Sequence, residues 1–127
     1  MKYLFDNCIS PRFAAMLRAL EVDAMALREE HAQDIKDVPL FRLLAGQDVI
    51  WVTTDTKQKT RIGEARALKD AGITALFFGP FFPKKQFWDQ AVWVVRQWPK
   101  IEQFAEEAPQ GTCAEIRHNG KALIYPL

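Results

Sequence analysis

Short apolar runs alternate along the first half of the chain with segments whose apolar residues recur every three or four positions. The runs at residues 2–5, 49–53 and 73–78 predict β-strands. The run at 49–53 gives the strongest signal, because β-branched and aromatic residues follow one another as in a strand buried on both faces of a parallel sheet. Residues 22–27 predict a weaker strand, since Ala and Met are indifferent strand formers.

The periodic segments between these strands predict helices. Ser10 supplies an N-cap and is followed by proline, so a helix begins there and continues to about residue 20. The polar residues 28–36 predict a loop, after which Asp37 caps a short helix that ends near residue 45. Residues 62–71 predict a further helix, which a glycine closes.

The C-terminal third predicts a long helix and a hairpin. Apolar residues between 87 and 105 form an amphipathic stripe, which Pro99 should kink or split in two. Asn119 and Gly120 form the commonest signature of a two-residue hairpin loop. Because strands alternate with helices over the first 80 residues, we expect an α/β sandwich with a mainly parallel sheet, to which the C-terminal helix and hairpin are added.

Length, composition and charge restrict the classes of protein. The 127 residues predict a single domain over 1–127, and a hydrophobic content of 49% excludes an intrinsically disordered chain. A net charge of +1 gives no global attraction to nucleic acid or anionic lipid, so such binding needs a local patch. The sequence has no run of 18 apolar residues, and Asp6 comes too early for a signal-peptide core. We therefore expect a cytoplasmic protein with no membrane partner.

Acidic residues follow two of the predicted strands where each strand ends. Asp6 comes directly after the first strand, and Asp55 follows the strongest one. Because the carboxyl ends of parallel strands meet at one edge of a sheet, we expect both carboxylates there. Asp37 opens the helix that leads into the Asp55 strand, so it could lie over the same edge. The alternative is that each Asp is an ordinary turn residue or helix cap.

Three clustered carboxylates repel one another unless a cation lies between them. Mg²⁺ or Mn²⁺ suits carboxylate and water ligands, whereas Zn²⁺ favours His or Cys, and the sequence has no His beside these acids. Such an ion can lower the pKa of a bound water and stabilise the leaving oxygen of an in-line displacement. The acids therefore predict a site for phosphodiester hydrolysis.

Three short motifs occur in an order that resembles a known family. FDNCISPR covers residues 5–12, a D-x-x-L pattern begins at Asp37, and VTTD ends at Asp55. The set is similar to the PIN-like domains of the VapC-type toxin group, which are also catalogued as a domain of unknown function. The resemblance covers residue 2 to about residue 98. It implies a PIN-like three-layer sandwich, acids that bind Mg²⁺ or Mn²⁺, a ribonuclease role in a toxin–antitoxin pair, and a cognate antitoxin as partner.

Matching these motifs residue by residue assigns the catalytic and metal-binding roles. Asp6, Asp37 and Asp55 occupy the acidic positions of the family pattern. A fourth acid does not follow Asp55 directly, so Asp34 in the preceding loop and Glu64 on the next helix are the candidates. This acidic set is thinner than in many relatives.

Basic residues follow the acid at the end of the strongest strand. Lys57, Lys59 and Arg61 lie within six residues after Asp55, with no acid among them, and predict contacts to RNA phosphates. Arg12 is a further candidate near the same edge. The alternative is a solvated helix start, which we favour for Lys57 taken alone.

Aromatic residues and two lysines lie between residues 79 and 88, after the last core strand. This composition suits base stacking on RNA, and it equally suits a protein interface such as antitoxin docking. The first hypothesis is therefore a metal-dependent endoribonuclease that serves as the toxin of a toxin–antitoxin pair. The second is a catalytically weak PIN-like module that acts through protein–protein binding. A second copy of the chain, forming a homodimer, is a further candidate partner.

Overall fold

The strands form one sheet. The computed structural model describes residues 1–32, 34–60 and 62–126. Its strands are β1 Lys2–Phe5, β2 Ala24–Ala26, β3 Val49–Thr53, β4 Thr74–Phe78, β5 Cys113–Ile116 and β6 Ala122–Tyr125. They lie in the order β2-β1-β3-β4-β5-β6, with β1 to β5 parallel and β6 antiparallel to β5. The mainly parallel sheet is confirmed, and the C-terminal hairpin extends this sheet.

The helices pack on both faces of the sheet. They are α1 Pro11–Ala19, α2 Leu27–Glu30, α3 Asp37–Leu44, α4 Ile62–Ala71, α5 Phe81–Lys84 and α6 Phe87–Glu107, with a 3₁₀ helix at Thr56–Lys59. The start of α1 is as predicted, because the Ser10 side chain accepts a hydrogen bond from the Arg12 backbone N–H. Among the helices that the structure describes, none is long and apolar enough to cross a membrane.

Strand side chains alternate between two cores, as the two-residue repeat of a strand requires. Phe5 and Val52 belong to the core that α1 and α6 cover. Leu4 and Trp51, one position away in each strand, belong to the core that α3 and α4 cover. Two cores around one sheet make the α/β three-layer sandwich that the sequence predicts.

The predicted loop at residues 28–36 is wrong at its beginning, where the chain forms α2. The Glu29 carboxylate accepts from the Ala26 backbone N–H at 2.7 Å and pairs with Arg18 on α1 at 3.0 Å. Arg18 is 11 positions away, so a local pattern does not show this contact. The cap of α3 also differs: Lys36 is the N-cap, and Asp37 is the first residue of the helix.

Two predictions near the C-terminus also need correction. α6 is not split and continues through Pro99, because Trp98 and Ile101 on either side of the proline are both buried in the same core. The hairpin loop has three residues, since the Arg117 N–H donates to the Lys121 carbonyl and brackets residues 118–120. Gly120 takes the left-handed conformation with φ 82°, which ends such a three-residue loop.

Candidate functional site

The carboxyl ends of β1 and β3 lie side by side. The two strands are parallel neighbours, and the Asp6 N–H continues their pairing by donating to the Val52 carbonyl at 2.9 Å. This places the Asp6 side chain beside Thr53, whose hydroxyl donates to Asp6 Oδ2 at 2.7 Å. The expected position of Asp6 at the sheet edge therefore follows from the register of two adjacent strands.

A buried glutamine joins Asp6 to Asp37. Gln58 is 1% exposed, and its Nε2 donates to Asp6 Oδ2 at 3.3 Å and to Asp37 Oδ2 at 2.9 Å. Two oxygens that share one nitrogen at these distances are about 6 Å apart at most. The structure therefore brings these two predicted acids together, over sequence separations of 52 and 21 positions from Gln58.

The orientation of the Gln58 amide is determined by Trp51. The Trp51 indole N–H donates to Gln58 Oε1 at 3.0 Å, and both side chains are buried. An indole N–H can only donate, so the amide oxygen must face Trp51. The amide nitrogen must then face the carboxylates, which accept hydrogen bonds when ionised. The network thus has one consistent assignment of its donors and acceptors.

Asp55 lies at the same edge of the sheet, where it forms hydrogen bonds with residues close to it in the chain. Its N–H donates to the Thr53 hydroxyl at 3.0 Å, and its Oδ1 accepts from the Lys57 N–H at 3.2 Å at the start of the 3₁₀ helix. Within residues 1–32, 34–60 and 62–126, no group of three or more His, Cys, Asp and Glu side chains is arranged to hold a metal ion. Metal binding by Asp6, Asp37 and Asp55 therefore stays a prediction.

The surroundings of Asp6 disfavour its charged form. Burial raises the pKa of Asp6 above its ordinary value, and the Asp37 carboxylate raises it further. Hydrogen bonds from the Thr53 hydroxyl and the Asn7 N–H act in the opposite direction. A positive group between Asp6 and Asp37 would relieve both unfavourable contributions.

The candidate additional acids lie around a neighbouring cavity. Asp34, Asp37 and Glu64 line a cavity of about 390 Å³, together with Lys36. Asp37 therefore has one side toward this cavity and an oxygen bonded to Gln58. Asp37 is therefore the residue that the sheet edge and the cavity share.

The predicted phosphate contacts divide into different environments. Lys57 is exposed at the 3₁₀ helix. Lys59 lies 3.9 Å from the Glu115 carboxylate and 4.1 Å from the Tyr125 ring centroid, so its charge is already partnered within the fold. The Arg12 guanidinium stacks over Phe87 at 5.3 Å. Arg61 lies outside the described residues.

Three residues of the site, Thr53, Gln58 and Trp51, were not predicted as site residues from the sequence patterns. A signal existed for Thr53, because the two-residue repeat places it on the same face of β3 as Trp51. Gln58 gave no clear signal, since it stands among basic residues that predict a solvated helix start. A 3₁₀ helix has three residues per turn, so Gln58 lies on the same side of this helix as Asp55, which is three positions before it.

The donor set can be compared with the needs of a divalent cation. Asp6, Asp37 and Thr53 offer oxygen ligands, which fit Mg²⁺ or Mn²⁺ by type. The Gln58 nitrogen does not fit, because an amide N–H group has no acceptor for a cation. The residues therefore fit the ion if the Gln58 side chain moves or turns.

Comparison with known proteins gives one family. A family model described as a PIN like domain matches residues 1–80. These residues contain β1 to β4 and all the site residues described above apart from the Lys59 partners and Phe87. Neither the search of curated proteins nor the search of solved structures finds a match.

Proposed function

Because the chain belongs to the PIN-like domain family, whose members are nuclease-type modules, we propose that it is a metal-dependent endoribonuclease that hydrolyses phosphodiester bonds. One observation carries the proposal: Asp6 and Asp37, distant in the chain, both place an oxygen on the Gln58 amide nitrogen. Two carboxylates this close at a half-buried edge disfavour each other's charged form. This arrangement supports a site that accepts a cation.

The proposed roles follow from position. Asp6, Asp37 and Asp55 would hold Mg²⁺ or Mn²⁺, with Asp34 or Glu64 as an additional acid at the neighbouring cavity. When bound, the ion supplies Lewis-acid activation of water and neutralises charge on the scissile phosphate. Exposed basic side chains would position the RNA backbone by contacts to its phosphates. Lys57 and Arg12 are such side chains; Arg61 is a further candidate from the sequence alone, and Lys59 would first have to leave Glu115.

Cleavage of a mixed RNA pool in the presence of Mn²⁺ tests the proposal. We expect Asp6→Asn and Asp37→Asn to lower the cleavage rate by a factor on the order of 10² or more, because each removes a charged ligand of the ion. Asp55→Asn tests the third acid in the same assay. Circular dichroism should show that the variants remain folded.

Asp48→Asn is the matched control. Asp48 is exposed at the opposite end of β3, where it pairs with the N-terminal amine. The same chemical change there should leave cleavage unchanged. Equal cleavage by the wild-type protein and by folded Asp6→Asn and Asp37→Asn variants would refute the proposal, since the activity would then come from another site or a contaminant.

A second candidate function has its own support. α6 exposes Trp88, Val92 and Val95 at helical spacing, and Trp88 is 78% exposed. This apolar surface is typical of a protein interface. A binding module would use it to contact a partner, and in a toxin the partner would be a cytoplasmic antitoxin protein or a second copy of the chain. Co-purification with the product of the neighbouring reading frame, without RNA cleavage, would favour this candidate.

A further inference from the structure

We propose that the Gln58 amide occupies the place of a cation between Asp6 and Asp37, that Trp51 holds it there, and that a divalent cation must displace it to bind. The identity of the displacing ion rests on the proposed function. The role of the amide in the metal-free protein does not rest on the proposed function, because it follows from the hydrogen bonds alone.

The Gln58 amide offsets part of the repulsion between the two acids. The Gln58 amide directs one nitrogen at an oxygen of each carboxylate, at 3.3 Å for Asp6 and 2.9 Å for Asp37. Its two N–H groups carry partial positive charge, so they offset the repulsion between acids that stand within about 6 Å of each other. A neutral side chain thus does part of what a bound ion would do.

The Gln58 nitrogen occupies the space that an ion between the two acids would need. A small divalent cation binds carboxylate oxygens at about 2.1 Å. The Gln58 nitrogen is already within hydrogen-bond distance of the same two Oδ2 atoms that would face the ion. The nitrogen and the ion cannot occupy this position together, so the side chain has to withdraw or turn.

Trp51 holds the Gln58 amide in one orientation. Turning the amide would offer the Gln58 oxygen to a cation as a ligand, but it would also place the NH₂ group against the Trp51 N–H. Two donors that face each other in a buried position leave both unsatisfied. Trp51 is therefore a positioning residue that opposes cation binding through Gln58.

Thermal unfolding of the full chain with EDTA and with MnCl₂ tests the inference. Gln58→Glu keeps the size of the side chain and an acceptor for Trp51, but it brings a third negative oxygen to the two acids. We expect the Tm in EDTA to fall by several degrees and Mn²⁺ to restore it, with a Mn²⁺ dissociation constant about tenfold below the wild-type value. Gln110→Glu makes the same change at an exposed position and should alter neither quantity.

Trp51→Phe is the second variant. It keeps an aromatic ring and removes the N–H, so the Gln58 amide can turn its oxygen toward the acids. We expect Mn²⁺ to bind more tightly than to the wild-type protein, as measured by calorimetry. If Gln58→Glu does not fold, the Mn²⁺ affinity of Trp51→Phe tests the inference by itself.

The outcomes separate this inference from the proposed function. The inference is overturned if Gln58→Glu matches Gln110→Glu both in Tm with EDTA and in Mn²⁺ affinity. It is also overturned if Gln58→Glu does not fold and Trp51→Phe keeps the wild-type affinity. If the wild-type protein cleaves no RNA while Gln58→Glu gains stability from Mn²⁺, the nuclease proposal fails and the inference stands.

Discussion

Trp98 and Trp51 are buried on opposite faces of the sheet, and their indole N–H groups differ in their hydrogen bonds. On the face under α1 and α6, Trp98 packs edge-to-face on Tyr3 with ring centroids 4.9 Å apart, and its N–H finds no hydrogen-bond partner among the described residues. On the face under α3 and α4, Trp51 packs on Phe41 at 5.6 Å, and its N–H donates to Gln58. The first tryptophan stabilises the fold by packing, whereas the second also connects the core to the acids.

The largest expected effect is common to both faces. Trp98→Ala and Trp51→Ala should each lower the free energy of unfolding by about 3–5 kcal/mol, because each leaves a cavity where a large buried ring was. Urea denaturation followed by circular dichroism measures this loss. A cost below about 1 kcal/mol for either variant would show that the surrounding side chains collapse into the space, and that face would not be a well-packed core.

A smaller change separates the two faces. Trp51→Phe leaves Gln58 Oε1 buried without its donor, which should cost about 1–3 kcal/mol in addition to the lost packing. Trp98→Phe removes an N–H group that has no partner in the part of the chain that the structure describes, so its cost should come from packing alone. The difference between the two free energies of unfolding tests the comparison. An equal cost, or a larger one for Trp98→Phe, would contradict it.

The smallest effect is chemical and leaves the fold unchanged. Cys113 is buried in the Trp51 core, and burial raises the pKa of its thiol to about 11. Cys8 is exposed at the acid edge, although its sulfur lies against Thr53, and burial of that sulfur followed by the Asp6 charge raises its pKa as well. With iodoacetamide at about pH 8, we expect slow labelling of Cys8 and none of Cys113, because the thiolate is the reactive form.

Mass spectrometry of the intact protein measures this labelling. One adduct should form, and a second should appear only after the protein is unfolded in urea. Raising the pH should speed the reaction of Cys8, since more of its thiol is then ionised. Labelling of both cysteines at the same rate in the folded protein would mean that the core under α3 and α4 opens readily.

Elements with contacts inside one segment were predictable from the sequence. Ser10 caps α1 by a hydrogen bond to a residue two positions away. β3 is indicated by five consecutive residues, all of which are buried. Elements that depend on distant partners were not predictable. The Glu29 carboxylate of α2 pairs with Arg18 from α1, and α6 continues through Pro99 because both sides of the proline pack on the same sheet.

The candidate site shows the same division. The places of Asp6 and Asp55 at strand ends could be read from the chain, because a strand leaves its pattern in consecutive residues. The partnership of Lys59 with Glu115 and Tyr125 could not, since those residues lie on strands of the C-terminal hairpin. A basic stretch that predicts phosphate contacts therefore includes one side chain that the fold already uses.

The order of the strands and of the longer helices, and the acid at the end of β1, were determined by the sequence itself, since periodicity and chain direction are local properties. Which polar group stands between Asp6 and Asp37 was decided by the tertiary structure. Gln58 reaches these acids across 52 and 21 positions, and its amide direction depends on an indole in the core. Such an arrangement exists only when a strand register, a helix start and a 3₁₀ turn are packed together, because no one segment contains more than a part of it.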